Sequence, residues 1–221
     1  MPKIFLFVVL LMLGGYLTKL VVASPAPEVV SPAEIQAVKA KYGMLAANRV
    51  AAWQQLVEEA FGKPERLQLI LVNNFFNRSK FVSDQKNWGK QDYWASPIEL
   101  LEKDAGDCED YVIAKYFTLK ALGIPDKKLY LTYVKAIRLH QAHMVLTYFK
   151  TPRSIPLVLD NLNNRIKKAT QRPDLVPIYS FNGSGLWLAK QRGNGKAVSG
   201  GNKQLQQWQA LLKKLDKRKP S

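Results

Sequence analysis

Cysteine is almost absent from this chain: Cys108 is the only one in 221 residues. A lone thiol has no intramolecular partner, so no disulfide staples the fold. Histidine is nearly as scarce, and any imidazole base must be His140 or His143. Acidic residues are in short supply, 17 against 33 lysines and arginines, giving a net charge of +16. That excess suits a polyanionic partner, an acidic protein substrate or a membrane surface; the bland alternative is solubility plus a basic tail. No motif with base-reading geometry is present, so nucleic acid is not expected as a partner.

Long hydrophobic runs are missing too. The stretch from Ile4 to Leu13 falls short of the roughly 18 to 20 apolar residues of a spanning helix. With the basic MPK start and the small-x-small Val21-Val22-Ala23, it reads as a secretory signal over residues 1–23, cut after Ala23. The alternative is a retained anchor extended through Leu17 to Val22. Export predicts a periplasmic protein and removes Lys3 and Lys19, leaving a net charge of +14. In an oxidising compartment the leftover thiol is either buried and inert or reactive.

What is present is mostly helix, then mostly strand. Residues 24–30 form a short Pro-rich linker. Ser31-Pro32-Ala33-Glu34 is a capping box, and helical spacing runs from there to about Phe61, with Gly43 as a possible break. A second helix is predicted from Pro64 to Phe76. Residues 77–95 are polar, aromatic and aperiodic, which predicts a long loop of the kind that lines sites. Ser96-Pro97-Ile98-Glu99 is a second capping box, and its helix ends at Ala105-Gly106. Asp107 is a good N-cap for the next helix, which Gly123 and Pro125 close.

From Leu129 the period becomes two. Strands are predicted at Leu129 to Ala136, Ala142 to Phe149 and Pro156 to Asn161. A hairpin follows, Val176 to Phe181 and Leu186 to Lys190 across Asn182-Gly183-Ser184-Gly185. Helices first and strands after mean an α+β fold with an antiparallel sheet, filling residues 31–192. Residues 193–221 hold a Gly-rich linker and a basic amphipathic helix from Gln204 to Leu215. That helix either packs on the domain or meets a partner or anionic lipid, a peripheral membrane contact.

The ten residues DCEDYVIAKY place Cys108 at the start of a helix. A thiol nucleophile needs a base for its proton, and the base needs a third group to orient it. His143 lies within a strand that fixes it, whereas His140 sits in a turn. Asp160 ends the next strand, and adjacent antiparallel strands can set a strand-end carboxylate beside an imidazole. The plain alternatives are a small buried thiol and a packed histidine.

The words DYWASPIELL, AGDCEDYVIAKY, HMVL and VLDN resemble the bacterial transglutaminase-like cysteine proteinases of the LapG type, over roughly residues 45–190. The resemblance implies a papain/transglutaminase-like fold, with the cysteine's helix packed on the sheet that carries His and Asp. It implies Cys108 as nucleophile, His143 as general base and acid, and Asp160 as orienting carboxylate. It further implies a calcium-dependent periplasmic endopeptidase. Such enzymes cleave the N-terminal region of a large surface adhesin at a di-alanine site. They are restrained by an inner-membrane cyclic-di-GMP receptor.

Three acids beside a reactive thiol pose a physical problem. A carboxylate at about 6 Å, with an effective dielectric near 20, costs a thiolate roughly 3 kcal/mol, more than a helix start returns. A bound hard cation removes the difficulty, and clustered carboxylates are the usual donors for calcium. The resemblance points to Asp107 and Glu109 as ligands, with Asp110 either a third or only part of the cap. A loop residue must complete the shell. The alternative is a solvated helix start. Trp88 and Trp94 either wall a narrow substrate groove or belong to the core, and neither Tyr93 nor Trp94 can be assigned as an oxyanion donor. Two rival functions remain: transglutamination on the same fold, and a non-catalytic exported binding module.

Overall fold

The computed structural model describes residues 24–188 and 203–216. The expected signal segment, the Gly-rich linker and the far end of the hairpin lie outside the described residues.

Helices α1 (Pro32–Tyr42) and α2 (Met44–Ala60) are separated at Gly43, whose φ of 84° is a conformation glycine adopts without strain. The Ser31 capping box opens α1, with Glu34 reaching back to the Ser31 N–H at 2.9 Å. Helix α3 (Glu65–Phe76) follows. The apolar faces of α2 and α3 supply Val50, Trp53, Val57, Leu69, Val72 and Phe76 to one continuous core.

The expected loop 77–95 is more ordered than its sequence suggests. It contains strand β1 (Lys80–Phe81) and helix α4 (Asp84–Trp88). Helix α5 (Pro97–Lys103) leads into β2 (Ala105–Gly106), which pairs in parallel with β1. That pairing ties the loop down beside the next helix, α6 (Cys108–Ala121). A two-residue parallel strand has no periodicity to read, so the alternation rule misses it.

Among the described residues, the second half is a sheet of six strands: β3 (Leu129–Ala136), β4 (Gln141–Tyr148), β5 (Leu157–Leu159), β6 (Lys167–Lys168), β7 (Leu175–Asn182) and β8 (Gly185–Leu188). Their order is β6-β5-β4-β3-β7-β8, and every pair is antiparallel. The predicted strands are found within a residue or two of their expected ends, β6 being an addition. Leu131, Met144, Leu146 and Leu159 face the helices. Val134, Val145 and Val158 make a smaller cluster on the alternate positions. Helix α6 packs against β3 and β4.

Helix α7 (Lys203–Asp216) closes the domain. Of the two expected fates for this helix, packing is the observed one. Trp208 and Leu211 are buried in the main core. The Trp208 ring stacks on Phe117 at 5.6 Å and meets Tyr116 and Phe181 edge-on. Lys214 reaches Glu99 and the Tyr93 hydroxyl. Emptying the Trp208 site leaves an aromatic-lined cavity, so Trp208→Ala is expected to cost about 3–5 kcal/mol of stability. A urea titration should show its midpoint well below that of the unsubstituted protein.

Candidate active site

Three elements meet at the candidate site. The first is the start of α6. Asp107 is its N-cap, and Cys108 is the first helical residue. Asp110 is fully buried and accepts hydrogen bonds from the Asp107 N–H at 3.3 Å and the Ala95 N–H at 2.7 Å. Gly106 makes this possible, because a Cβ there would sit 2.6 Å from Asp110 Oδ2 and 2.7 Å from Leu100 Cδ1. Any side chain at 106 would displace the carboxylate.

The second element is β4 and the end of β5. His143 and Asp160 are both buried, and His143 Nε2 lies 2.8 Å from Asp160 Oδ1. The Leu162 N–H donates to the same oxygen at 3.0 Å, and the Asn77 amide holds the Asp160 carbonyl at 2.8 Å. Burial alone would raise the Asp160 pKa. The hydrogen bond and charge of His143, the Leu162 N–H and Arg172 outweigh it and bring the pKa down to about 2. Asp160 is therefore a carboxylate at neutral pH and an acceptor only. It fixes Nε2 as the protonated nitrogen and leaves Nδ1 as the one that can take a proton. His140 stands apart, exposed in a left-handed turn at φ 52°.

The third element is the segment 84–95. Asp84 is buried, and its carboxylate accepts the Tyr93 N–H. One ligand oxygen from each of Asp84, Asp107 and Asp110 lies within 4.8 Å of the others, and the same holds for Asp84, Asp92 and Glu109. Asp84 is common to both groups. The sequence names Asp107, Glu109 and Asp110 but misses Asp84 and Asp92. The available signal is that both lie in the aperiodic loop, which needs the β1–β2 pairing to bring them here. Asp110 both caps the helix and joins the cluster.

These acids lack enough donors. Among the described residues, Oδ1 of Asp84 and Oδ1 of Asp107 are buried without a hydrogen-bond partner. Burial first, and then the charge of Glu109, raises Asp84 to a pKa of about 6 despite the Tyr93 N–H. Asp107 is pushed up to about 10 by burial and by the charges of Glu109, Asp110 and Asp84. Asp110 is raised as well, chiefly by burial. Orphaned buried oxygens on a hard-donor cluster fit a divalent cation such as calcium.

Cys108 shares this environment. Its thiol donates to Glu109 Oε2 at 3.0 Å. Burial, then the charge and hydrogen bond of Glu109, then Asp107, push its pKa well up; the Met144 N–H works the other way. Among the described residues, no hydrogen bond joins the thiol to His143. The structure thus brings His143 and Asp160 into contact, and Cys108 into contact with the acids.

Over residues 47–189 the chain matches the profile of the bacterial transglutaminase-like cysteine proteinases. The chain belongs to that family. Solved structures agree. Legionella pneumophila LapG in a calcium-bound form is 43% identical, covers 84% of this chain and 99% of its own, and superposes with a TM-score of 0.72. A second structure of that protein is 44% identical over 86% of this chain and 99% of its own, with a TM-score of 0.72. An EGTA-treated form is also 44% identical, over 86% of this chain and 100% of its own, at 0.73. No curated protein sequence matches significantly. The likeness to the transglutaminase-like proteinase fold spans both the helices and the sheet.

The readings left open for Trp88, Tyr93 and Trp94 separate in the structure. Trp94 is buried and stacks on Phe181, so it is core and walls no groove. Trp88 is half-buried against Tyr93, in a recess lined by Tyr42 and Ile98 that does not include Cys108. The Tyr93 hydroxyl bonds Glu99 instead of a reacting oxygen. A cavity of about 240 Å³ lies over the Val134, Val145 and Val158 cluster, and its lining includes neither Cys108 nor any acid of the cluster.

Proposed function

We propose that the protein is a calcium-dependent cysteine endopeptidase of the periplasm. It cleaves the N-terminal region of a large surface adhesin at a di-alanine site, which releases the adhesin and disperses biofilm. An inner-membrane cyclic-di-GMP receptor restrains it. The observation that carries the chemistry is the buried His143–Asp160 pair on neighbouring strands, with α6 packed on the same sheet and starting at the only cysteine. Family membership, and the likeness to calcium-bound LapG, support the rest.

Cys108 supplies the nucleophile and His143 Nδ1 takes its proton. The thiolate attacks the scissile carbonyl, and the imidazolium returns the proton to the leaving amine. Water, with His143 as base, then hydrolyses the thioester. The Cys108 N–H is among the helix-start donors without an intrahelical acceptor and serves the oxyanion. Asp84, Asp92, Asp107, Glu109 and Asp110 would hold calcium, which would supply the positive charge that lets these acids ionise beside a thiolate. Glu109 belongs to the thiol and to the acid cluster alike, and so links the two.

The test is cleavage of an adhesin N-terminal fragment carrying a di-alanine site. A single cut is expected in calcium, with none in chelator and no amine incorporation. Asp84→Asn should raise the calcium needed for half-maximal cleavage at least about tenfold. Amine incorporation would point to transglutamination. An uncut fragment under all conditions would sink the reading.

A further inference from the structure

Arg172 has no place in the mechanism so far, yet it is buried in direct contact with Asp160. Its Nη2 donates to Asp160 Oδ2 at 2.8 Å. The same Nη2 also donates to Asp174 Oδ2 at 2.8 Å, and Nε donates to both Asp174 oxygens at 3.0 and 3.2 Å. Asp174 thus fixes the plane and direction of the group that meets Asp160. Arg172 itself follows a short turn, anchored by its own N–H to the Ala169 carbonyl at 3.0 Å.

The two oxygens of Asp160 therefore have separate tasks. Oδ2 takes Arg172, while Oδ1 takes His143 and the Leu162 N–H. A carboxylate held at only one oxygen can rotate about its last bond and offer either oxygen to the ring. One held at both cannot. Fully buried Lys115, on α6 behind the site, is another basic group near Asp160, but burial lowers its pKa to about 7, and among the described residues its Nζ has no hydrogen-bond partner and orients nothing. The titratable groups around Asp160 are thus His143, Arg172 with Asp174 behind it, and Lys115.

We infer that Arg172 is a positioning residue: by holding Asp160 Oδ2, it keeps Oδ1 on His143 Nε2 and so sets the imidazole tautomer that accepts the thiol proton. The inference rests on the proposed Cys108–His143–Asp160 chemistry. Among the described residues Arg172 has Asp160 and Asp174 as its side-chain hydrogen-bond partners and makes no hydrogen bond to the thiol, so its effect passes through Asp160. The fork geometry matters, because a lysine carries the charge but cannot bridge Asp160 and Asp174 in one plane.

The test uses the calcium-loaded protein with Arg172→Met, Arg172→Lys and Asp174→Asn. A fluorogenic peptide with a di-alanine site reports kcat and KM. ¹⁵N NMR of the ring nitrogens, with only two histidines to assign, reports the tautomer. Arg172→Met should lower kcat about 10- to 100-fold with KM within twofold, and should turn a single Nε2–H signal for His143 into a mixture. Arg172→Lys should recover part of the loss. Asp174→Asn loosens Arg172 without removing its charge and should give a smaller loss of the same kind, which keeps the test open if Arg172→Met does not fold. A folded Arg172→Met protein with kcat within twofold and one tautomer would overturn the inference. So would a kcat loss with the tautomer unchanged. If Cys108→Ala also cleaves the peptide, it is the underlying reading that fails.

Discussion

Replacing Cys108 with alanine should abolish peptide cleavage, with a loss of at least about 10³-fold, while the fold and calcium binding survive. The size follows from covalent chemistry. Removing the nucleophile leaves only binding and oxyanion stabilisation, and in acyl-transfer enzymes these retain a small part of the rate. Survival of the fold follows from the position. Cys108 is half-buried at the first turn of α6, next to the core but not among its fully buried members. Thermal unfolding and calcium titration of Cys108→Ala check that the loss is chemical. Cysteine-to-serine should be nearly as inactive, since a serine hydroxyl has a far higher pKa and His143 is set to deprotonate a thiol. A Cys108→Ala protein that still cleaves would contradict the assignment of Cys108 as the nucleophile.

Calcium removal should have an effect of similar size, and it should depend on pH. With ligand oxygens within 4.8 Å, each ionised pair repels by about 3.5 kcal/mol at an effective dielectric near 20. Without a cation, protons relieve that repulsion. Asp84 is raised to about 6 and Asp107 to about 10. Calcium must displace those protons, so its affinity should climb as pH rises from about 6 toward 10. The stability of the metal-free protein should run the other way. Carboxyls whose folded pKa is raised contribute stability that is complete below the unfolded value near 3.8 and is lost as pH climbs through 6 and then 10. The gain in Tm on adding calcium should therefore be larger at pH 8 than at pH 5.5. A gain that shrinks with rising pH would contradict the assignment of these acids.

Much of this was legible in the chain. The capping boxes at Ser31 and Ser96 and the Asp107 N-cap are local signals, and each starts a helix where the sequence places it. Period-two alternation in 129–149 gives β3 and β4, and with them His143, while Asp160 follows the next short run. These positions are carried by neighbours in sequence. Asp84, Asp92 and Arg172 were not legible, because their meaning is set by distant partners. Asp84 acts only once β1 pairs with β2, and Arg172 acts only where the turn after β6 meets the end of β5. Trp94 was left open between groove wall and core, because only tertiary packing, here on Phe181, decides between them.

The central claim is that the acids around Cys108 suppress its thiolate until a cation balances them. The rate of Cys108 alkylation by iodoacetamide, followed against pH in calcium and in chelator, tests it most directly. The chain has one cysteine, so the signal has one source. The account predicts a lower apparent thiol pKa in calcium by at least about one unit, and so near pH 7 alkylation faster by about tenfold. Identical pH profiles in calcium and chelator would contradict it.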